Sequence, residues 1–275
     1  MISPDRNLRV QAFVQHFGGR YRAPDVIMRH LVRAELRRAH LAQTPEPIDP
    51  SQLHSRFRIS EVRITREFAF AGILTEEAHA YIIHIKAASR GRMRFTHFHE
   101  LAHVYFIEAT DAVLPHLPRA ERNRISQEEE RLCDIAASEF LLPHKVFFAA
   151  ARDATTSWSG LRRLAEQFDA SLDATLHRLS DGFVGPLLVT RWSRVEHGYR
   201  HETLVATGAL QHLRQKPQTI ATAPPYIAAA FATHDDCEFP THVFVDGAFR
   251  TAVVAMLRQQ RGATSAVLTL TRLVE

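Results

Sequence analysis

The stretch RFTHFHELAHVYF, residues 94–106, contains His99-Glu100-Leu101-Ala102-His103. On a helix, histidines four residues apart lie one turn apart on the same face, so both imidazoles can reach one ion. Neutral imidazole is a good zinc ligand, and Glu100 falls beside the ion, where a general base for water belongs. Chance alone gives roughly 0.07 such matches in a chain of this composition, so the context of the motif has to decide its reading. The apolar pattern places it on a long amphipathic helix from about 95 to 107, after a strand at 80–85 expected to lie at a sheet edge.

A third ligand has to come from elsewhere. The pattern with Gly three and His six residues after the second histidine is excluded, because those positions are Phe106 and Ala109. A second helix, expected over 126–142, offers Glu128, Glu129 and Glu130. Ser126 followed by Glu129 matches a capping box, and Pro143 stops the helix. Glu130 shares a face with Cys133, Asp134 and Ala137, whose small side chains allow close approach of the two helices. Asp134, one turn on, is placed to accept the remaining N–H of a ligand histidine. Glu128 and Glu129 suit the positive helix start, and the same role stands as the alternative for Glu130.

The runs RFTHFHELAH and ERLCDIAASEFLLP (130–143) together resemble the ImmA/IrrE family of bacterial metallopeptidases, over about residues 47–143. The segment AYIIHIKAASRGRMRF (80–95) resembles the strand and basic loop that precede the family's first motif. The resemblance implies a Zn²⁺ site with His99, His103 and Glu130 as metal ligands and Glu100 as the catalytic base. It also implies a substrate, a helix-turn-helix repressor whose cleavage releases stress (DNA-damage and radiation) genes. The match departs at His97-Phe98, where family members usually carry an apolar residue and Ala or Gly, and at Ala102 in place of Gly. Tyr105, His97 and His116 are candidate donors to the oxyanion of such a reaction. Two other functions remain open on sequence: an anti-repressor peptidase of a mobile element or toxin–antitoxin pair, and a zinc-containing transcription regulator without activity. The intact Glu100 counts against the last.

The rest of the chain bounds these readings. Its 275 residues, 45% hydrophobic and 23% charged, are those of a globular protein. A net charge of +4 is too small to argue for nucleic acid. Two cysteines, Cys133 and Cys237, make neither a disulfide framework nor a thiolate zinc site. With no apolar run long enough for a membrane and no signal-peptide pattern, a cytoplasmic protein is expected. The expected fold is α+β: a basic, aromatic N-terminal extension (1–23), a zincin-like metallopeptidase domain (24–151), a helix-turn-helix-like unit (152–185) and a small α+β domain (186–275), which the family resemblance implies is GAF-like. Arginines at 29–38 read as a solvated helix face. Gly72 reads as a turn or kink, and strands are expected at 57–59, 62–64, 187–190, 242–245 and 266–270. The segment 248–260 reads as a helix. In the helix-turn-helix-like unit, the second helix LDATLHRLSD carries little positive charge, so DNA binding is expected to be weak or absent.

Overall fold

A computed structural model describes residues 7–122, 124–155, 157–183, 185–222, 224, 227–228, 231, 238–245, 248–261 and 264–273. The fold is α+β, in two compact units: 1–146 with 167–171, and 147–166 with 172–275. Cys237 lies outside the described residues.

In the first unit, α1 (Leu8–Phe17) and α2 (Pro24–Arg38) precede α3 (His54–Phe57) and a three-stranded sheet. The 1–23 stretch, read as an extension, supplies α1. Phe13 stacks on Phe106 with ring centroids 4.7 Å apart, and Phe17 meets Tyr105 edge-on. The sheet comprises β1 (Ile59–Thr65), β2 (Gly72–Glu77) and β3 (Ala80–Lys86), in the order β1-β3-β2. β3 pairs parallel with β1 and antiparallel with β2. Two expectations are corrected here. The strand before the histidine helix is central, and the edge belongs to β2, which Gly72 opens. Residues 57–58 are not strand either, since Phe57 ends α3 and Arg58 is left-handed at φ 54°.

The histidine helix, α4 (Arg90–Val113), is longer than expected at both ends, and the basic run RGRMR forms its first turns. The guanidinium of Arg94 donates to the carbonyls of Ile48, Phe168 and Asp169, which fixes the start of α4. After the short α5 (Arg119–Arg122), α6 (Gln127–Leu141) packs against α4 and α2. Arg29 and Arg33, expected to be solvated, reach the fully buried carboxylate of Glu139 on α6.

In the second unit, α7 (His144–Ala154), α8 (Trp158–Gln167) and α9 (Leu172–Ser180) lead into β4 (Leu187–Val195), β5 (Gly198–Thr207) and β6 (Gln218–Ile220). β7 (Glu238–Val245), β8 (Ala248–Arg261) and β9 (Thr264–Leu273) follow. They form an antiparallel sheet of order β6-β5-β4-β9-β8-β7. The expected helix at 248–260 is therefore a strand, paired with β7 on one side and β9 on the other. The α8–α9 pair belongs with this sheet: Trp158 donates its indole N–H to the Ala255 carbonyl, and α9 packs on β5. Arg178 of α9 is buried over the Phe148 ring, which removes the second helix's arginine from any phosphate-facing surface. Among the described residues, no helix is long and apolar enough to cross a membrane.

Candidate metal centre and active site

His99 and His103 point from one face of α4 toward α6, as their spacing requires. The Nε2 of His99 lies 3.1 Å from Glu130 Oε2, and the Nε2 of His103 lies 3.8 Å from Glu130 Oε1. Two ligands bound at 2.0–2.1 Å around a tetrahedral ion stand about 3.4 Å apart, so these separations bracket the spacing a zinc ion needs.

The opposite ring nitrogens are occupied. His99 Nδ1 is 2.9 Å from Asp134 Oδ1, the contact expected of Asp134. His103 Nδ1 is 2.9 Å from Glu129 Oε1. Each carboxylate is placed to accept an Nδ1–H, so that an Nε2 that gives up its proton turns its lone pair to the place an ion would take beside Glu130. Burial pulls the His99 imidazolium down, but the Asp134 and Glu130 carboxylates outweigh it and push its pKa up to about 10. The hydrogen bond from His99 in turn holds the Glu130 carboxyl below its ordinary value, ahead of the opposing effect of burial.

Glu129 departs from the sequence reading. Ser126 does cap α6 by accepting the Glu129 N–H at 3.2 Å. The Glu129 side chain does not return to the helix start. It is fully buried and serves His103 and Arg9 instead. Neither Arg9 nor this role of Glu129 was legible in the motif, because the partner lies 120 residues away in a segment without any signature.

Cys133 offers a competing donor. Donor atoms of His99, His103 and Cys133 lie within 4.8 Å of one another. The Cys133 sulfur, however, lies 3.5 Å from His103 Nδ1, the nitrogen already engaged by Glu129. Burial also pushes its thiol well above the ordinary range, which opposes the thiolate a metal takes.

Glu100 sits between α4 and β2. Burial raises its pKa, against the lowering effect of His103 and His99 and of the Leu74 amide, which donates to it. A buried, raised carboxylate beside two imidazoles has the character of a general base. Gly72 makes this arrangement possible: a Cβ there would lie 2.5 Å from Glu100 Oε1 and 2.5 Å from Thr96 Cγ2. These groups line a cleft of about 1230 Å³, with β2 along one wall and His99, Glu100, His103, Glu130 and Asp134 around its floor. Three exposed apolar side chains, Phe70, Ile73 and Ile125, stand on its walls.

None of the three expected oxyanion donors lines the cleft. Tyr105 is wholly buried among Phe17 and Phe57. His97 is paired with His54, Nε2 to Nε2 at 2.9 Å, and His116 is exposed on the loop after α4. The polar side chains that do line the cleft include Arg9, Arg92 and Arg122.

Comparison with known proteins fits this geometry. Residues 56–180 match the model of the IrrE N-terminal-like domain (Peptidase_M78). A solved structure, described as a Mycobacterium tuberculosis transcriptional regulator, matches over 97% of this chain and 80% of its own with a TM-score of 0.54. At 16% identity that likeness concerns the fold. No curated protein matches the chain in sequence.

Proposed function

From the match of residues 56–180 to the IrrE N-terminal-like domain, we propose that the chain is a cytoplasmic zinc-dependent endopeptidase of the ImmA/IrrE type. His99, His103 and Glu130 are its metal ligands and Glu100 its base. The observation that carries this reading is the convergence of two Nε2 atoms on the Glu130 carboxylate, with both Nδ1 atoms held by acceptors. Zinc bound there supplies Lewis-acid polarisation of a carbonyl and a lowered pKa for water. Glu100, held by the Leu74 amide, takes the proton of the attacking water and returns it to the leaving amine.

The substrate we propose is a helix-turn-helix repressor, cut at one exposed segment, with release of stress-response genes as the outcome. Support comes from the family resemblance and from a cleft whose wall is a strand edge. The exposed Phe70, Ile73 and Ile125 give an extended peptide apolar contacts. We further propose that the β4–β9 sheet, a GAF-like domain from about residue 186, governs when or what the enzyme cuts. Its core around Trp192, Ile227, Phe231, Val254, Met256 and Val267 contains no residue of the Glu100 site.

The test is incubation of the zinc-loaded protein with the repressor encoded beside its gene. Cleavage at one bond, abolished by chelator and by Glu100→Gln, is expected. Zinc binding with an intact repressor would favour a regulator without activity. Cleavage that survives Glu100→Gln would remove Glu100 as the base.

A further inference from the structure

The N-terminal helix α1 places a guanidinium behind the metal centre. Arg9, Phe13 and Phe17 recur every four residues and so lie along one face of α1. The two phenylalanines seat that face on α4, through Phe106 and Tyr105. Arg9 is then carried inward, where only 7% of its side chain stays exposed. Its Nε donates to Glu129 Oε2 and its Nη2 to Glu129 Oε1, both at 2.8 Å. Its Nη1 donates to the backbone carbonyl of Arg122.

Two parallel N–H···O bonds fix the plane of a carboxylate as well as its position. Glu129 Oε1 is the atom that also accepts from His103 Nδ1. The orientation of His103 therefore depends on a carboxylate whose own orientation depends on Arg9. The other histidine has no such backing: Asp134, its partner, is 60% exposed and receives no arginine among the described contacts.

We propose that Arg9 is a positioning residue of the metal centre. Through Glu129 it holds His103 as the Nδ1–H tautomer, with Nε2 turned to the ion. The N-terminal helix is thus part of the active site. This rests on His103 being a ligand.

The experiment measures zinc affinity of the full chain by competition with a chromophoric chelator, with far-UV circular dichroism as the check on folding. Arg9→Lys keeps the charge and loses the fork. Arg9→Met/Glu129→Leu removes the buried pair for apolar groups of similar volume, a change that often leaves stability intact. Loss of a positioning partner is expected to raise the zinc Kd about 10–100-fold in both folded variants, and a Kd within about threefold of wild type in either would overturn the proposal. A pair that merely fastened α1 would leave the affinity of a folded Arg9→Lys variant unchanged, since Glu129 would still accept from His103. The native protein gives a reading that needs no variant: ¹⁵N correlation spectra of the metal-free chain should show His103 protonated at Nδ1, and a proton on Nε2 alone would overturn the proposal. His103→Asn separates the two claims. If it binds zinc as tightly as wild type, the ligand assignment itself fails; if it loses zinc while the Arg9 variants do not, only the role of Arg9 fails.

Discussion

Gly72→Ala perturbs the site through a single methyl group. That methyl would stand 2.5 Å from Glu100 Oε1, 2.5 Å from Thr96 Cγ2 and 3.1 Å from Glu100 Cδ, well inside van der Waals contact. Glu100 is 5% exposed and Thr96 is buried, so the room open to either side chain is the cleft itself. Either the carboxylate rotates away from its place beside the imidazoles, or β2 moves off α4 and the Leu74 amide leaves Glu100. Overpacking of this kind costs about 1–3 kcal/mol. For a chain of this size each kcal/mol lowers Tm by about 2–4 °C. The effect on catalysis is larger, since misplacing a catalytic group by about 1 Å costs on the order of 10²-fold. The expected outcome is a kcat reduced about 10²-fold with zinc still bound, read by repressor cleavage, metal analysis and thermal unfolding. A Gly72→Ala enzyme with wild-type kcat and Tm would refute the claim that β2 and Glu100 are packed this closely.

Three more outcomes are expected. Burial, and then the neighbouring His54, hold the His97 pKa down to about 4, against the opposing pull of Asp49. A folded pKa below the unfolded 6.5 leaves stability complete above pH 6.5, and the loss grows as pH falls toward 4. The ceiling is about 3 kcal/mol; denaturant titrations of the zinc-loaded protein across this window should show the decline, and His97→Phe should flatten it. Asp134→Ala should weaken zinc binding about 10-fold, the low end of the usual range because Asp134 is largely exposed; an unchanged Kd in a chelator competition would contradict its role. Truncation after residue 185 removes the sheet that receives Trp158 and α9, exposing the buried Leu161, Leu164, Leu176 and Leu179; the fragment should bind a hydrophobic dye and melt early, and a cooperatively folded, dye-negative fragment would show that α8 and α9 do not depend on the sheet.

How legible these features are in the sequence follows from the range of the forces behind them. The His99–His103 spacing, the Ser126 cap and the stop at Pro143 are local, and each sits within one turn of the residues that cause it. Residues 248–261 show the opposite case. AFRTAVVAMLRQQR holds good helix formers, yet Ala252, Val254, Ala255, Met256 and Leu257 are all buried. A central strand covered on both faces reads as a continuous apolar run, which periodicity does not separate from a buried helix. Its hydrogen bonds to β7 and β9 decide the matter, and they come from distant sequence. Gly72 misled for a related reason: a glycine inside a strand marks close approach as readily as a turn. Arg29 and Arg33 read as a solvated face, and Arg9 as part of a basic extension, because nothing near them names the buried carboxylates of Glu129 and Glu139.

The central claim is that one zinc ion is held by His99, His103 and Glu130. It is tested most directly by a crystal structure of the zinc-loaded protein with anomalous data at the zinc edge. The account predicts a single peak about 2.0–2.2 Å from His99 Nε2, His103 Nε2 and a Glu130 carboxylate oxygen, with Cys133 outside coordination. A peak ligated by the Cys133 sulfur, or one more than about 3 Å from any of the three groups, would contradict it.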